Sequence, residues 1–154
     1  MKTVRIILFI LIAPFIAVLF NFKGIPMAKE APGLVKGILS KCPDTPNCVC
    51  SEYKDDASHY IDPIIIPQNI TFDTLSLLKN TIQDMGGSIQ VEGDNYLAAT
   101  FTSAIFKFVD DLEIRIDPTQ NVIHIRSASR IGISDMGVNK RRTELLKKLF
   151  NNHP

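Results

Sequence analysis

Phe106-Lys-Phe-Val-Asp-Asp-Leu-Glu-Ile-Arg-Ile-Asp117 and Val122-Ile-His-Ile-Arg-Ser-Ala-Ser129 flank Pro118-Thr-Gln-Asn121. Leu112, Ile114 and Ile116 alternate with charged residues, which is the period of a strand with one buried face. Asp117 to Asn121 supplies turn formers. The two runs are therefore predicted to be an antiparallel hairpin. Matching their apolar faces pairs Ile116 with Ile123 and Ile114 with Ile125, because a slip of one residue would turn charges inward. The opposite face then sets Arg115 beside His124 and Glu113 beside Arg126, an arrangement expected to face solvent as a surface ion pair. Asp110-Asp111 interrupts the apolar alternation and predicts an irregularity there.

Working upstream, Tyr96–Thr102 alternates cleanly, with Leu97, Ala99 and Phe101 on one side. Gly93-Asp94-Asn95 is a turn and Ser88–Glu92 a further strand. Leu75, Leu78, Ile82 and Met85 recur at helical spacing, with Thr71 or Asp73 near the N-cap and Gly86-Gly87 as the stop. Ile61–Pro67 is an apolar run punctuated by prolines, suited to a sheet edge. Downstream, Val138–Phe150 reads as a helix with Asn139 at its N-cap and Val138, Leu145, Leu146, Leu149 and Phe150 as its apolar stripe. The expected fold class is α+β: an antiparallel four-stranded meander with two helices packed on one face, preceded by an N-terminal hydrophobic signal or anchor helix.

The chain has 154 residues, 45% of them hydrophobic and 21% charged, enough for one domain with a core. A formal net charge of +1 argues against a nucleic-acid partner. Lys2 and Arg5 precede the uncharged, apolar run Ile6–Phe22, the form of a secretory signal or of an uncleaved membrane anchor. The basic start orients the rest of the chain out of the cytoplasm. The domain is expected to be membrane-anchored, or secreted or periplasmic if the signal is cleaved. The predicted organisation is a targeting segment at 1–22, a tether at 23–41 holding one short helix at most, a single domain at 42–150 and a tail at 151–154.

Three cysteines fall within Cys42-Pro-Asp-Thr-Pro-Asn-Cys48-Val-Cys50. In an exported domain such a cluster points to a disulfide, and the proline-containing loop favours Cys42 with Cys48, leaving Cys50 as the odd thiol. Three thiolates with His59 or His124 would make a metal site, but the spacing is not that of a zinc motif, and neither metal nor cofactor is expected.

Several segments together resemble a known family: Cys42-Pro-Asp-Thr-Pro-Asn-Cys-Val, Ile61-Asp-Pro, Phe101-Thr-Ser, Phe106-Lys-Phe-Val-Asp-Asp, and Ile125-Arg-Ser-Ala-Ser-Arg-Ile-Gly-Ile-Ser-Asp-Met-Gly-Val-Asn-Lys-Arg-Arg142. They are similar, in order, to the domain of unknown function family 1499 of bacteria and plants, over about Cys42 to Phe150. Cys50 stands where that family usually has serine, and Ile133 where an aromatic residue is common. The resemblance implies a domain and no activity.

The last of those segments gathers Arg126, Arg130, Lys140, Arg141 and Arg142 against Asp135, with Ser127, Ser129 and Ser134 as hydroxyl donors and Asn139 at a helix start. An anion, carboxylate or lipid headgroup suits such a group. The competing expectation is internal neutralisation. Cys42–Glu113 carries 3 basic and 12 acidic residues, whereas Arg126–Lys148 carries 7 basic and 2 acidic. Asp110, Asp111 and Glu113 are thus expected to pair with Arg126, Arg130 and Arg141 as structural partners. A serine hydrolase would need Ser127, Ser129 or Ser134 with His59 or His124 and Asp110 or Asp111, but no nucleophile-elbow motif is present. The reading is a non-catalytic binding or accessory module of the cell envelope. Its partner is the membrane through the N-terminal segment, together with an unknown protein or small anionic ligand. The rival is a small extracytoplasmic enzyme or ligand-binding protein acting at the Arg126–Arg142 loop, through Arg126, Ser129, Arg130 and Asp135.

Overall fold

The computed structural model of the chain describes residues 30–67 and 73–152. The N-terminal apolar run and Thr71 lie outside those residues. Among the described residues the elements are β1 (Leu34–Val35), β2 (Ile38–Leu39), β3 (Cys48–Cys50), β4 (Ile64–Ile65), α1 (Thr74–Asp84), β5 (Ser88–Glu92), β6 (Tyr96–Thr102), β7 (Val109–Asp117), β8 (Val122–Ser129) and α2 (Val138–Asn151).

The four-stranded meander is corrected by this arrangement. Eight antiparallel strands form two sheets: β1 with β2, and a second sheet ordered β3-β8-β7-β6-β5 in which β4 also joins β8. Strands β3 and β4 share the outer edge of β8. The first pairs Cys48 to Cys50 with Ala128 to Arg126, and the second pairs Ile64 and Ile65 with Ile123 and Val122. Between them, Ser51 donates its N–H to the Ile125 carbonyl. These edge strands are three and two residues long, too short for an alternating pattern to reveal them.

The β7–β8 register is the one that apolar matching requires, with Ile114 opposite Ile125 and Ile116 opposite Ile123. No irregularity occurs at Asp110-Asp111, which continue the ladder opposite Phe101 and Thr100. The irregularity lies instead in β5, between Ile89 and Val91.

Both helices cover one face of the large sheet. Leu78 and Ile82 of α1 and Leu146 and Phe150 of α2 meet Leu97, Ala99, Leu112, Ile114, Ile123 and Ile125. Burying a side chain of this size stabilises the fold by about 1.5–3 kcal/mol. Asp73 caps α1 by accepting from the Leu75 N–H at 3.0 Å, and Gly86, at φ +87°, takes the left-handed turn beyond its end. The stripe of α2 differs from the expected one. Asn139, Thr143, Leu146 and Phe150 face inward, while Val138 and Leu145 are exposed.

The opposite face is covered as well. Residues 34–39 form the β1–β2 hairpin in place of a short helix. Leu39 is completely buried against Cys42, Cys48, Cys50 and Ala128, with Tyr53 and Tyr96 packed beside them. Tyr53 donates to the Leu39 carbonyl at 3.0 Å, and the Gly33 N–H donates to Glu113 at 2.9 Å. What reads in sequence as a solvent face is an interior.

Candidate functional site

Because strands alternate, the charged residues of β7 and β8 other than Asp110 project on the face that carries the hairpin. Glu113 is fully buried. Its Oε2 accepts from the Arg126 guanidinium at 2.8 Å, and its Oε1 accepts from the Tyr96 hydroxyl at 2.8 Å and from Gly33. The expected surface ion pair is therefore a buried one. Burial, followed by the negative Glu113, pushes the Tyr96 phenol well above its ordinary range, so it stays a donor.

Beside this group, Arg115 holds both oxygens of Glu52, at 2.7 and 3.2 Å. His124, expected on an exposed face, is buried, and its Nδ1 stands 3.2 Å from Ser51 Oγ and 3.7 Å from Glu52. Burial holds its pKa below 6.5. Ser51 Oγ also accepts the Ile125 N–H at 2.8 Å. Serine and carboxylate both address Nδ1. A relay needs them on opposite ring nitrogens, so this set is not a catalytic triad. Asp117 is held at about 2, foremost by the Thr119 hydroxyl, which donates to it at 2.6 Å.

The segment from Arg126 to Arg142 divides between the two faces. Arg130 forks onto Asp111 at 2.9 and 2.8 Å. Arg142, and not Arg141, takes Asp110, at 2.8 Å, while its guanidinium lies 4.5 Å above the Phe101 ring. Arg141 is exposed and donates to the Met136 carbonyl. Asn139 is no N-cap. It sits in the first turn of α2, almost wholly buried, accepting from Ser127 at 2.6 Å and donating to the Asn47 carbonyl and to Ser129. The capping oxygens belong to Asp135, which accepts from the Gly137 and Asn139 N–H groups at 2.9 and 2.6 Å. Gly137, at φ +78°, makes the left-handed turn that leads the chain into the helix. Ser134 accepts the Met136 N–H. The candidate residues are thus brought near one another, but as two polar networks separated by the sheet.

Cys42 and Cys48 form the disulfide expected from their loop. Cys50 is a buried free thiol, pushed up to about 11 chiefly by burial, and at neutral pH it carries its proton. His59 is engaged by Asp56, Ser58 and the Thr45 carbonyl. Among the described residues no group of three or more His, Cys, Asp or Glu side chains is placed to hold a metal ion, and no helix is long and apolar enough to cross a membrane.

Sequence reasoning missed Glu52, Arg115, Tyr96 and Asn47. Glu52 and Asn47 lie in the cysteine-rich stretch, whose contact with β8 depends on strand pairs separated by some 80 positions in the chain. Only Arg115 carried a signal, through its place opposite His124.

No curated protein matches the chain. A family model described as a protein of unknown function, DUF1499, matches residues 38–150. That span runs from β2 through α2 and takes in the disulfide, both polar networks and the two helices, so the chain belongs to the DUF1499 family.

Proposed function

We propose that this chain is a non-catalytic accessory module of the cell envelope, held outside the cytoplasm by its N-terminal apolar run. The observation that carries the reading is the use already made of its charges. Arg126, Arg130 and Arg142 each hold an internal carboxylate, on Glu113, Asp111 and Asp110. The serines nearest them, Ser127 and Ser129, are tied to Asn139. Groups engaged in this way stiffen the β8–α2 connection and are committed to internal partners rather than to a substrate. The Cys42–Cys48 bridge supports an oxidising compartment.

The test compares Arg130→Ala, Arg142→Ala and Arg141→Ala by urea denaturation. The first two leave Asp111 and Asp110 without counter-charges and are expected to lower stability by about 2–4 kcal/mol. Arg141→Ala should stay within about 0.5 kcal/mol of the parent, as exposed substitutions do. Unchanged or raised stability in Arg130→Ala and Arg142→Ala would transfer these arginines to an anion-binding site and overturn the module reading.

A further inference from the structure

The end of the sheet where β6 turns into β7 and β8 leaves for α2 carries an uncovered apolar surface. In the first loop Ile105 is 81% exposed and Phe106 72%, with Phe108 half exposed. In the second, Met136 is 88% exposed and Ile133 61%. The two loops leave the same sheet end, since Thr102 pairs with Val109 and Asp110 with Ser129. The Arg130 N–H also donates to the Val109 carbonyl.

The first loop is fastened. Ser103 and Phe108 exchange hydrogen bonds through the Ser103 N–H and the Ser103 Oγ, and the Phe106 and Phe108 rings stack at 5.6 Å. A soluble surface seldom presents large apolar side chains clustered at loop tips without a partner for them.

The charges at this end select the partner. Lys107 stands between the two phenylalanines, and Lys140 and Arg141 are exposed in the first turn of α2. Within the loops 103–108 and 130–137 the one acid is Asp135, already occupied in capping. Apolar tips ringed by cations suit an interface of anionic headgroups over hydrocarbon. Glu30, the first described residue, lies close enough to Arg130 to act on its guanidinium. Eight residue steps separate Glu30 from Phe22, the last residue of the apolar run. That is at most about 30 Å of extended chain.

We infer that the tips Ile105–Phe108 and Ile133–Met136 dock onto an anionic lipid bilayer, laying the loop end of the domain on the membrane. The orientation rests in part on the reading of the N-terminal run as an anchor. The apolar tips and their cations argue for the bilayer independently.

The chain has no tryptophan, so a single one is a clean reporter. The full-length chain carrying Phe106→Trp is reconstituted into phosphatidylglycerol–phosphatidylcholine vesicles with brominated acyl chains. Gln120→Trp, exposed in the β7–β8 turn at the other end of the sheet, is the control. Bromolipid should remove most of the Phe106→Trp fluorescence and little of the Gln120→Trp fluorescence. Adding Ile105→Asp and Met136→Asp to Phe106→Trp should abolish the quenching, with the far-ultraviolet circular dichroism unchanged. Equal quenching of the two reporters, or none at Phe106→Trp, overturns the inference. A blue-shifted but unquenched Phe106→Trp overturns it in favour of a protein surface or a second copy. A sodium carbonate wash reports separately on the anchor. If the chain is retained without quenching, the docking fails and the anchor stands. If quenching occurs on vesicles from which the wash strips the chain, the docking stands and the anchor fails.

Discussion

On the helix side of the sheet, Leu97, Leu112, Ile114, Ile123 and Ile125 meet Leu78, Ile82, Leu146 and Phe150. On the hairpin side, at the alternate positions of the same strands, Tyr96, Asp111, Glu113, Arg115, His124 and Arg126 lie under Leu39, the disulfide and Tyr53. One layer excludes water through apolar contact, which tolerates small changes of shape. The other does so with hydrogen-bonded charges, each of which depends on a particular partner. Taking charges out of water carries a large desolvation cost that only good geometry offsets, so this second layer adds little net stability while being intolerant of losing a member. One buried atom there, Arg126 Nε, has no hydrogen-bond partner, a small defect in a layer otherwise closely matched.

The comparison is tested most severely at Glu113. Glu113→Ala leaves Arg126 buried without its counter-charge and is expected to cost about 3–5 kcal/mol in urea denaturation. Leu112→Ala, its neighbour on the apolar side, falls in the range of about 2–5 kcal/mol for a buried leucine. Swapping Glu113 and Arg126 together for apolar residues of similar volume should recover most of the loss, while no distant second change rescues Leu112→Ala. A Glu113→Ala protein as stable as the parent would abolish the distinction between the faces.

Next in size is the disulfide. Reducing Cys42–Cys48 opens a short loop, and its contribution is about 2 kcal/mol by loop entropy. Amide exchange should quicken first in residues 34–50, the hairpin and the bridged loop that follows it, and leave β6 and α1 protected. Uniform quickening would mean that the two layers open as one.

The smallest effect is set by pH. Burial depresses the pKa of His124 in the folded state, so the unfolded chain takes up its proton first as pH falls through the ordinary value of 6.5. Stability should therefore be fully present above that pH and decline below it, and His124→Gln should flatten the decline. Asp117, at about 2 when folded, acts the same way further down, its stabilisation present above its ordinary value near 3.8 and lost as pH falls towards 2. A His124→Gln protein with the parent's slope between pH 6.5 and 5 would place the titrating group elsewhere.

The alternation of Tyr96–Thr102, Leu112–Ile116 and Val122–Ser129, and the helical period around Leu78 and Ile82, were legible because each is a local pattern with one dominant force behind it. The β7–β8 register was legible for the same reason, and so was the bridge within a seven-residue loop. The candidate site was half legible. Charge imbalance between the halves of the chain leads one to expect acids of β7 to meet arginines further on, and the three acids meet Arg126, Arg130 and, in place of the expected Arg141, Arg142. Which arginine takes which acid depended on strand direction: Asp110 faces the helices and finds Arg142, whereas Asp111 faces the hairpin side and finds Arg130.

By itself, then, the sequence determined the β7–β8 register, the presence of the two helices, the disulfide and the family, since all follow from neighbours in the chain. Only the tertiary structure decided that the polar face of the sheet is an interior. Alternating polar residues look alike whether water or a second layer covers them. The cover, β1–β2 and the Cys42–Tyr53 stretch, is joined to β7 and β8 by contacts some 80 residues apart, such as Gly33 to Glu113. No local pattern records a contact of that kind. It arises because a buried carboxylate needs every donor the surrounding fold can bring to it.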